Sequence, residues 1–188
     1  MLSTSTPASS TDHRPLRRFL LIAVALYAVW FVGYELLLQR DGALDVTLCN
    51  NIAATSAAIL RAFNLPAGTA ADLPRMITMG QQRAVLVGAP CNGLVLYALF
   101  CGFVLAYPGP WQRKVWFLTV GCALIWALNV VRVVALTLNF VYDHQSLEFN
   151  HHYTYAFAIY GCIGGLWWWW AHRLSGTAGL LAEPAARG

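Results

Sequence analysis

Charged residues are scarce in this chain. Only 11% of its 188 residues are Asp, Glu, Lys or Arg, whereas 59% are hydrophobic and the mean hydropathy is +0.55. This composition is too apolar for a soluble globular domain and indicates an integral membrane protein. The few charges are also clustered, which leaves uncharged runs long enough to cross a hydrocarbon core of about 30 Å.

Several catalytic signatures are absent as well. The chain has no G-x-S-x-G serine motif, no H-E-x-x-H zinc helix and no C-x-x-C redox pair, and its apolar runs contain no pair of aspartates. A transporter is disfavoured because four spans with one buried charge offer little pathway. Nucleic-acid binding is not indicated either, because the net charge of +4 comes from residues that flank the spans. We expect neither a cofactor nor a metal.

Apolar runs predict about four transmembrane helices, at residues 16–38, 91–107, 115–141 and 153–171. The first run is longer than the apolar stretch of about 7–15 residues in a signal peptide and has no small-x-small cleavage site, so it predicts an uncleaved helix. The second run ends at Pro108-Gly109-Pro110, which cannot continue a helix.

The basic residues predict the orientation of these spans, because short cytoplasmic loops carry an excess of Lys and Arg. One side receives seven of them: Arg14, Arg17, Arg18, Arg113, Lys114, Arg173 and Arg187. We therefore expect a multi-pass protein of the inner cell membrane with a single membrane domain at 16–174. Two cytoplasmic tails flank this domain, a disordered one at 1–15 and another at 175–188.

Residues 39–90 are expected on the outer side. Val46 to Leu65 mixes apolar and polar residues, and we interpret it as an amphipathic helix on the membrane surface, too polar and too short to span. Residues 75–88 predict two short strands that form a hairpin around Gly80-Gln81-Gln82. The predicted fold class is an all-α integral membrane protein with an outer amphipathic helix and a short hairpin.

Three polar groups are expected to converge in the outer half of the membrane. Cys91 opens the second span, Arg132 lies in the third, and His151-His152 precedes the fourth. Arg132 is about 9–14 Å from the outer end of its helix at 1.5 Å per residue, within reach for a long guanidinium side chain.

Cys91 lies between Pro90 and Gly93, at the N-terminus of a predicted helix. There the helix dipole and unpaired N–H groups favour a thiolate and can hold an oxyanion. Two other interpretations stay open, because Asn92-Gly93 is also a common turn pair and a disulfide with Cys49 would silence the thiol. The remaining cysteines are expected to act as small hydrophobic residues: Cys101, Cys122 and Cys162.

Arg132 and the histidines also have two interpretations each. An arginine in an apolar helix costs about 2.5–3.5 kcal/mol on insertion, so it indicates either function or an ion pair, for which Glu35 is the candidate partner. Asn129, one turn earlier, can hydrogen-bond a neighbour in either case. The two histidines are polar caps or a general acid and base, and a metal site is not expected because no HxxxH or CxxC accompanies them.

Three motifs in this order resemble the exosortase/archaeosortase family: Ala89-Pro90-Cys91-Asn92-Gly93-Leu94, Asn129-Val130-Val131-Arg132-Val133 and Asn150-His151-His152. The likeness covers residues 85–170. It implies a membrane-embedded cysteine protease or transpeptidase that acts at the outer face on C-terminal sorting signals of exported proteins. Such a signal consists of a short motif, a transmembrane helix and a basic tail.

The resemblance also implies residue roles. Cys91 would form a thioester, Arg132 would position the substrate or stabilise the oxyanion, and His151 or His152 would move a proton to the leaving amine. His152 is favoured because it is closer to the predicted helix start; the supporting residues would be Asn92, Gly93 and Asn129. Water would complete proteolysis, whereas another nucleophile would transfer the protein to a lipid or glycan acceptor.

This chain would be a short form, because larger exosortases have more spans. The expected partners are the sorting-signal segments, membrane lipids and the lipid or glycan acceptor. The alternative is a non-catalytic membrane protein that assists export or assembly of an extracellular polysaccharide, with Arg132 in a structural ion pair.

Overall fold

The computed structural model describes residues 14–34, 42–142 and 155–176. These residues form five α-helices: α1 Arg14–Gly33, α2 Ala43–Ala62, α3 Leu94–Ala106, α4 Trp111–Tyr142 and α5 Tyr155–Trp169, which continues as a π-helical turn, Trp170–Leu174. They also form a 3-10 turn, Ala89–Cys91, and three strands: β1 Ala67–Thr69, β2 Met76–Met79 and β3 Gln82–Leu86. The helical, apolar architecture confirms the predicted class of an all-α integral membrane protein.

Helices α1, α3 and α5 pack with the first half of α4 into a bundle. Phe19 near the start of α1 meets Phe103 and Tyr107 at the end of α3, so these helices are antiparallel. Trp170 packs on Phe117 with ring centroids 5.1 Å apart, which sets the end of α5 beside the start of α4. The buried core of the bundle comprises Leu96, Phe100, Val104, Phe117, Ile125, Ile159, Ile163, Leu166 and Trp170.

One end of the bundle is basic. Lys114 Nζ donates a hydrogen bond to the Leu105 carbonyl oxygen (2.9 Å), and Arg113 Nη1 donates to that of Leu174 (3.1 Å). Both acceptors belong to the last turn of a helix, where carbonyls lack partners within the helix. Helix α1, with Arg17 and Arg18 near its start, also begins at this end, as the charge pattern predicts, whereas Arg61, Arg75, Arg83 and Arg132 lie elsewhere. The side of the membrane that this end faces stays a prediction.

Helix α2 and the sheet form a second layer on the C-terminal half of α4. Trp126 Nε1 donates to Asn51 Oδ1 (2.9 Å), and Ser56 Oγ donates to the Val130 carbonyl oxygen (3.4 Å). The later residue of α2 contacts the later residue of α4, so α2 runs parallel to α4. With 32 residues, α4 is about 48 Å long. It is therefore long enough to pack against the bundle with its first half and against the second layer with its other half.

The structure corrects the prediction for Val46 to Leu65. The segment is helical, but α2 has 20 residues and is long and apolar enough to cross a membrane, as are α1 and α4. The expectation that it is too short and too polar is therefore wrong. The helix starts earlier, at Ala43, and two of its polar side chains, Asn51 and Ser56, are satisfied by α4.

The second predicted span, 91–107, is shorter in the structure. Helix α3 has 13 residues and is about 20 Å long, because the chain before it forms the 3-10 turn and Gly93 has a left-handed φ of 77°. Cys91 therefore precedes the helix instead of opening it.

The predicted hairpin is confirmed. Met79 pairs with Gln82 across a two-residue loop, and Gly80, its first central residue, has φ +61°, as a type II′ turn requires. The sequence interpretation missed strand β1, which pairs antiparallel with β2 to give the order β1-β2-β3. Ile77 and Val87 from this region are buried in the same cluster as Cys49 and Cys91.

Candidate active site

Cys91 is the last residue of the 3-10 turn and lies at the junction of the two layers. Its N–H donates to the Gly88 carbonyl oxygen (2.8 Å), and its side chain is 6% exposed. The surrounding apolar cluster also contains Val130 and Val133 of α4. The thiol is thus held by the turn on one side and by the middle of α4 on the other.

Asn92 links this turn to helix α3. Its Oδ1 accepts a hydrogen bond from the Leu94 N–H (2.9 Å), which caps one of the N–H groups that a helix start leaves unpaired. The side chain is 1% exposed, and its Nδ2 donates to Asp45 Oδ1 of α2. Both ends of a buried amide are therefore satisfied, and they fix the residue that directly follows Cys91.

Gly93 lets α3 and α4 approach closely. A Cβ atom at this position would lie 2.6 Å from Asn129 Nδ2, and the backbone φ of +77° is itself unfavourable for other residues. Asn129 is fully buried, and its Nδ2 donates to the Ile125 carbonyl oxygen (2.8 Å). Its buried Oδ1 has no hydrogen-bond partner among the described residues, so an acceptor atom faces the interior next to the Cys91 turn.

Arg132 lies one helical turn beyond Asn129 on α4 and is half-buried. Its flanking residues Val130 and Val133 belong to the Cys91 cluster. The structure thus brings together Cys91, Asn92, Gly93 and Asn129, with Arg132 on the same stretch of α4. His151, His152 and Glu35 lie outside the described residues, so their predicted roles stay predictions.

Cys49 also lies close to Cys91. It is fully buried in the same apolar cluster as Cys91. Both cysteines are free thiols in this structure. Among the described residues, no group of three or more His, Cys, Asp or Glu side chains is arranged to hold a metal ion.

The comparison with known families bears on the whole of this arrangement. A family model described as transmembrane exosortase (Exosortase_EpsH) matches residues 8–169. The chain belongs to the transmembrane exosortase family. This finding confirms the resemblance drawn from the three motifs, all of which lie within the match. Comparisons with curated proteins and with solved structures give no match.

Sequence reasoning missed two residues of this exosortase, Asp45 and Tyr34, which are joined to the Cys91 turn by hydrogen bonds. Asp45, in the first turn of α2, accepts from Asn92 through Oδ1 and from the Tyr34 hydroxyl through Oδ2 (3.1 Å). The sequence assigns Asp45 no role beyond a charge in the segment 39–90. An acid in the first turn of an apolar helix was the available signal, but its partners come from residues 11 and 47 positions away, which no local pattern indicates.

The exosortase also has an apolar cavity of about 390 Å³ between α1 and α3. Val95 lines it one turn after Cys91, and Gly102 and Phe103 line it farther along α3. Trp167 of α5 adds to the lining. The facing wall is formed by five residues of α1: Phe19, Ala23, Leu26, Tyr27 and Trp30. The cavity therefore extends from the level of the Cys91 turn toward the basic end of the bundle.

Proposed function

We propose that this exosortase is a cysteine peptidase or transpeptidase that cleaves C-terminal sorting signals of exported proteins at the outer face of the inner membrane. One observation carries the proposal: the Cys91 thiol lies in a capped turn at the start of α3, packed against the stretch of α4 that contains Asn129 and Arg132. Family membership supports the same class of reaction.

In the proposed reaction, the Cys91 thiolate attacks the scissile carbonyl carbon of the sorting signal. The N–H groups in the first turn of α3 that have no partner within the helix stabilise the negative oxygen of the tetrahedral intermediate. Collapse of this intermediate breaks the C–N bond and leaves the exported protein as a thioester on Cys91. Attack by water then gives proteolysis, whereas attack by a lipid or glycan nucleophile gives transfer to an anchor.

Arg132 and a histidine complete the proposed site. The Arg132 guanidinium positions the substrate or stabilises the oxyanion, because it is a fixed positive charge in an apolar region. His152 or His151 takes up the thiol proton and delivers it to the departing amine, as an imidazole that titrates near neutral pH can do. The leaving amine belongs to the hydrophobic tail.

The apolar cavity between α1 and α3 is the proposed site for that tail. Its lining is predominantly apolar, and it starts one turn from Cys91. Side chains of a hydrophobic helix packed against α1 and α3 would fill this cavity, with the outer end of that helix beside the thiol and its basic tail toward the opposite end of the bundle. We therefore assign recognition of the tail to α1 and α3.

The first test compares cells that carry the wild-type protein, Cys91→Ser or Cys162→Ser by proteomics of membrane and secreted proteins. Cys162 lies on α5, outside the Cys91 cluster, and serves as the matched control. We expect a set of exported proteins whose hydrophobic C-terminal tails are removed with the wild type and Cys162→Ser, and retained with Cys91→Ser.

Equal processing in all three strains, with each protein inserted at equal abundance, would contradict the proposed peptidase. The alternative, a non-catalytic role in export or assembly of an extracellular polysaccharide, would then take its place. A loss of processing in both variants would point to a general effect of cysteine replacement and would count against Cys91 as the nucleophile.

A further inference from the structure

Asp45 lies where three separate parts of the chain meet. It belongs to the first turn of α2, it accepts a hydrogen bond from Tyr34 just beyond the end of α1, and it accepts another from Asn92 in the Cys91 turn. Each carboxylate oxygen has one donor. The described part of the chain contains one other acid, Asp72, which forms an exposed ion pair with Arg83.

The position of Asp45 favours a fixed carboxylate. The N-terminal turn of a helix carries partial positive charge from its unpaired N–H groups, which stabilises an acid there. With its two oxygens held by Tyr34 and Asn92, the carboxylate has little rotational freedom. It therefore acts as a rigid hydrogen-bond acceptor at the N-terminus of α2.

Asn92 depends on this acceptor. Its side chain is 1% exposed, so without Asp45 its Nδ2 would be a buried donor that lacks its partner, which is costly. The amide would rotate to find another partner and would release the Leu94 N–H that its Oδ1 now caps. Cys91 directly precedes Asn92, so this rotation would also move the thiol.

We infer that Asp45 is a positioning residue for Cys91, which acts through Asn92 and is itself oriented by Tyr34. This inference rests on the proposed function of Cys91 as the nucleophile. Asp45 is not assigned a catalytic role, since its hydrogen bonds run to Asn92 and Tyr34 and not to the thiol. Its contribution is to keep the turn in the one geometry that presents Cys91 at the start of α3.

The test uses the full-length protein in native membranes and two measurements. The first is the rate at which N-ethylmaleimide alkylates Cys91, followed by mass spectrometry, with Cys162 as the internal reference thiol. The second is kcat and KM for a reporter that carries a tail found in the proteomic comparison. The variants are Asp45→Ala, Asp45→Asn and Tyr34→Phe, with Asp72→Ala and Tyr160→Phe as matched controls on exposed residues.

For Asp45→Ala we expect about tenfold faster alkylation of Cys91 and about tenfold lower kcat with little change in KM, because a charge-assisted hydrogen bond to a buried amide is lost. Asp45→Asn keeps an oxygen acceptor for Asn92, so both values should stay within about threefold of wild type. Tyr34→Phe should lie between them. Both controls should match the wild type.

Unchanged alkylation of Cys91 in Asp45→Ala would overturn the inference. A parallel rise in the alkylation of Cys162 would also overturn it, because that result indicates loosening of the whole bundle. If the wild type does not process the reporter, the proposed peptidase fails, while the alkylation rates still decide whether Asp45 positions Cys91.

Discussion

Gly93 is the residue on which the close approach of α3 to α4 depends. Its φ of +77° is a conformation that glycine adopts at little cost, and a Cβ atom there would lie 2.6 Å from Asn129 Nδ2. Gly42 has a similar left-handed conformation, with φ +60° and ψ 0°, but nothing lies within 4 Å of the same atom. The two glycines therefore separate the backbone requirement from the steric one.

Gly93→Ala should destabilise the protein more than Gly42→Ala does. The left-handed backbone costs about 1–2 kcal/mol for alanine at either position, and overpacking against Asn129 adds about 1–3 kcal/mol at Gly93. Unfolding in detergent, followed by tryptophan fluorescence, measures both free energies. Equal losses at the two positions would show that the contact with Asn129 has no energetic weight.

Helix α3 is the element that joins the candidate site to the apolar cavity. Its first turn is capped by Asn92, next to Cys91, and five of its residues line the cavity: Val95, Ala98, Leu99, Gly102 and Phe103. With 13 residues it is much shorter than α4. The nucleophile and the proposed tail site therefore lie on one short, rigid element, which fixes the distance between them.

Gly102→Leu should weaken recognition of the tail without unfolding the protein. Nothing lies within 4 Å of a Cβ atom at Gly102, so the larger side chain extends into the cavity instead of into the core. We expect KM for a tail-bearing reporter to rise about tenfold, which corresponds to about 1.4 kcal/mol of lost binding, with kcat nearly unchanged.

The matched control is Gly164→Leu on α5, which is equally open but does not line the cavity. It should leave KM unchanged. A similar KM for both variants, at equal abundance in the membrane, would argue that the tail binds elsewhere.

At the scale of the whole molecule, the two ends differ in their charged residues. The basic end holds the Arg113 and Lys114 side chains that cap helix ends, and the other end holds the Cys91 turn under the sheet. The excess of basic residues at one end predicts that this end faces the cytoplasm. The Cys91 turn would then face outward, as a peptidase for exported proteins requires.

Labelling with a membrane-impermeant maleimide tests this orientation. Gln81 in the hairpin loop and Gln112 at the start of α4 are both exposed and lie at opposite ends. We expect Gln81→Cys to react in intact cells and Gln112→Cys to react only after the membrane is opened, relative to the unmodified chain. The reverse pattern would contradict an outward-facing site.

The sequence by itself determined the class of protein, because long uncharged runs can be buried only in a bilayer. It also identified the Cys91, Arg132 and histidine motifs that carry the resemblance to the family, and the Gly80 hairpin, since its turn residues are local signals. The bounds of α3 were less accurate, because a capped 3-10 turn and a helix start contain the same residues in sequence.

Only the tertiary structure decided how these parts meet. From the sequence alone, the polar residues of α2 indicate a helix on the membrane surface. In the structure, Asn51 and Ser56 are hydrogen-bonded to α4. In the same way, the sequence gives no sign that Asp45 accepts hydrogen bonds from Tyr34 and Asn92, one on each carboxylate oxygen. The physical reason is that burial and hydrogen-bond satisfaction depend on residues distant in the chain, whereas hydropathy, turn chemistry and motif spacing depend on neighbours.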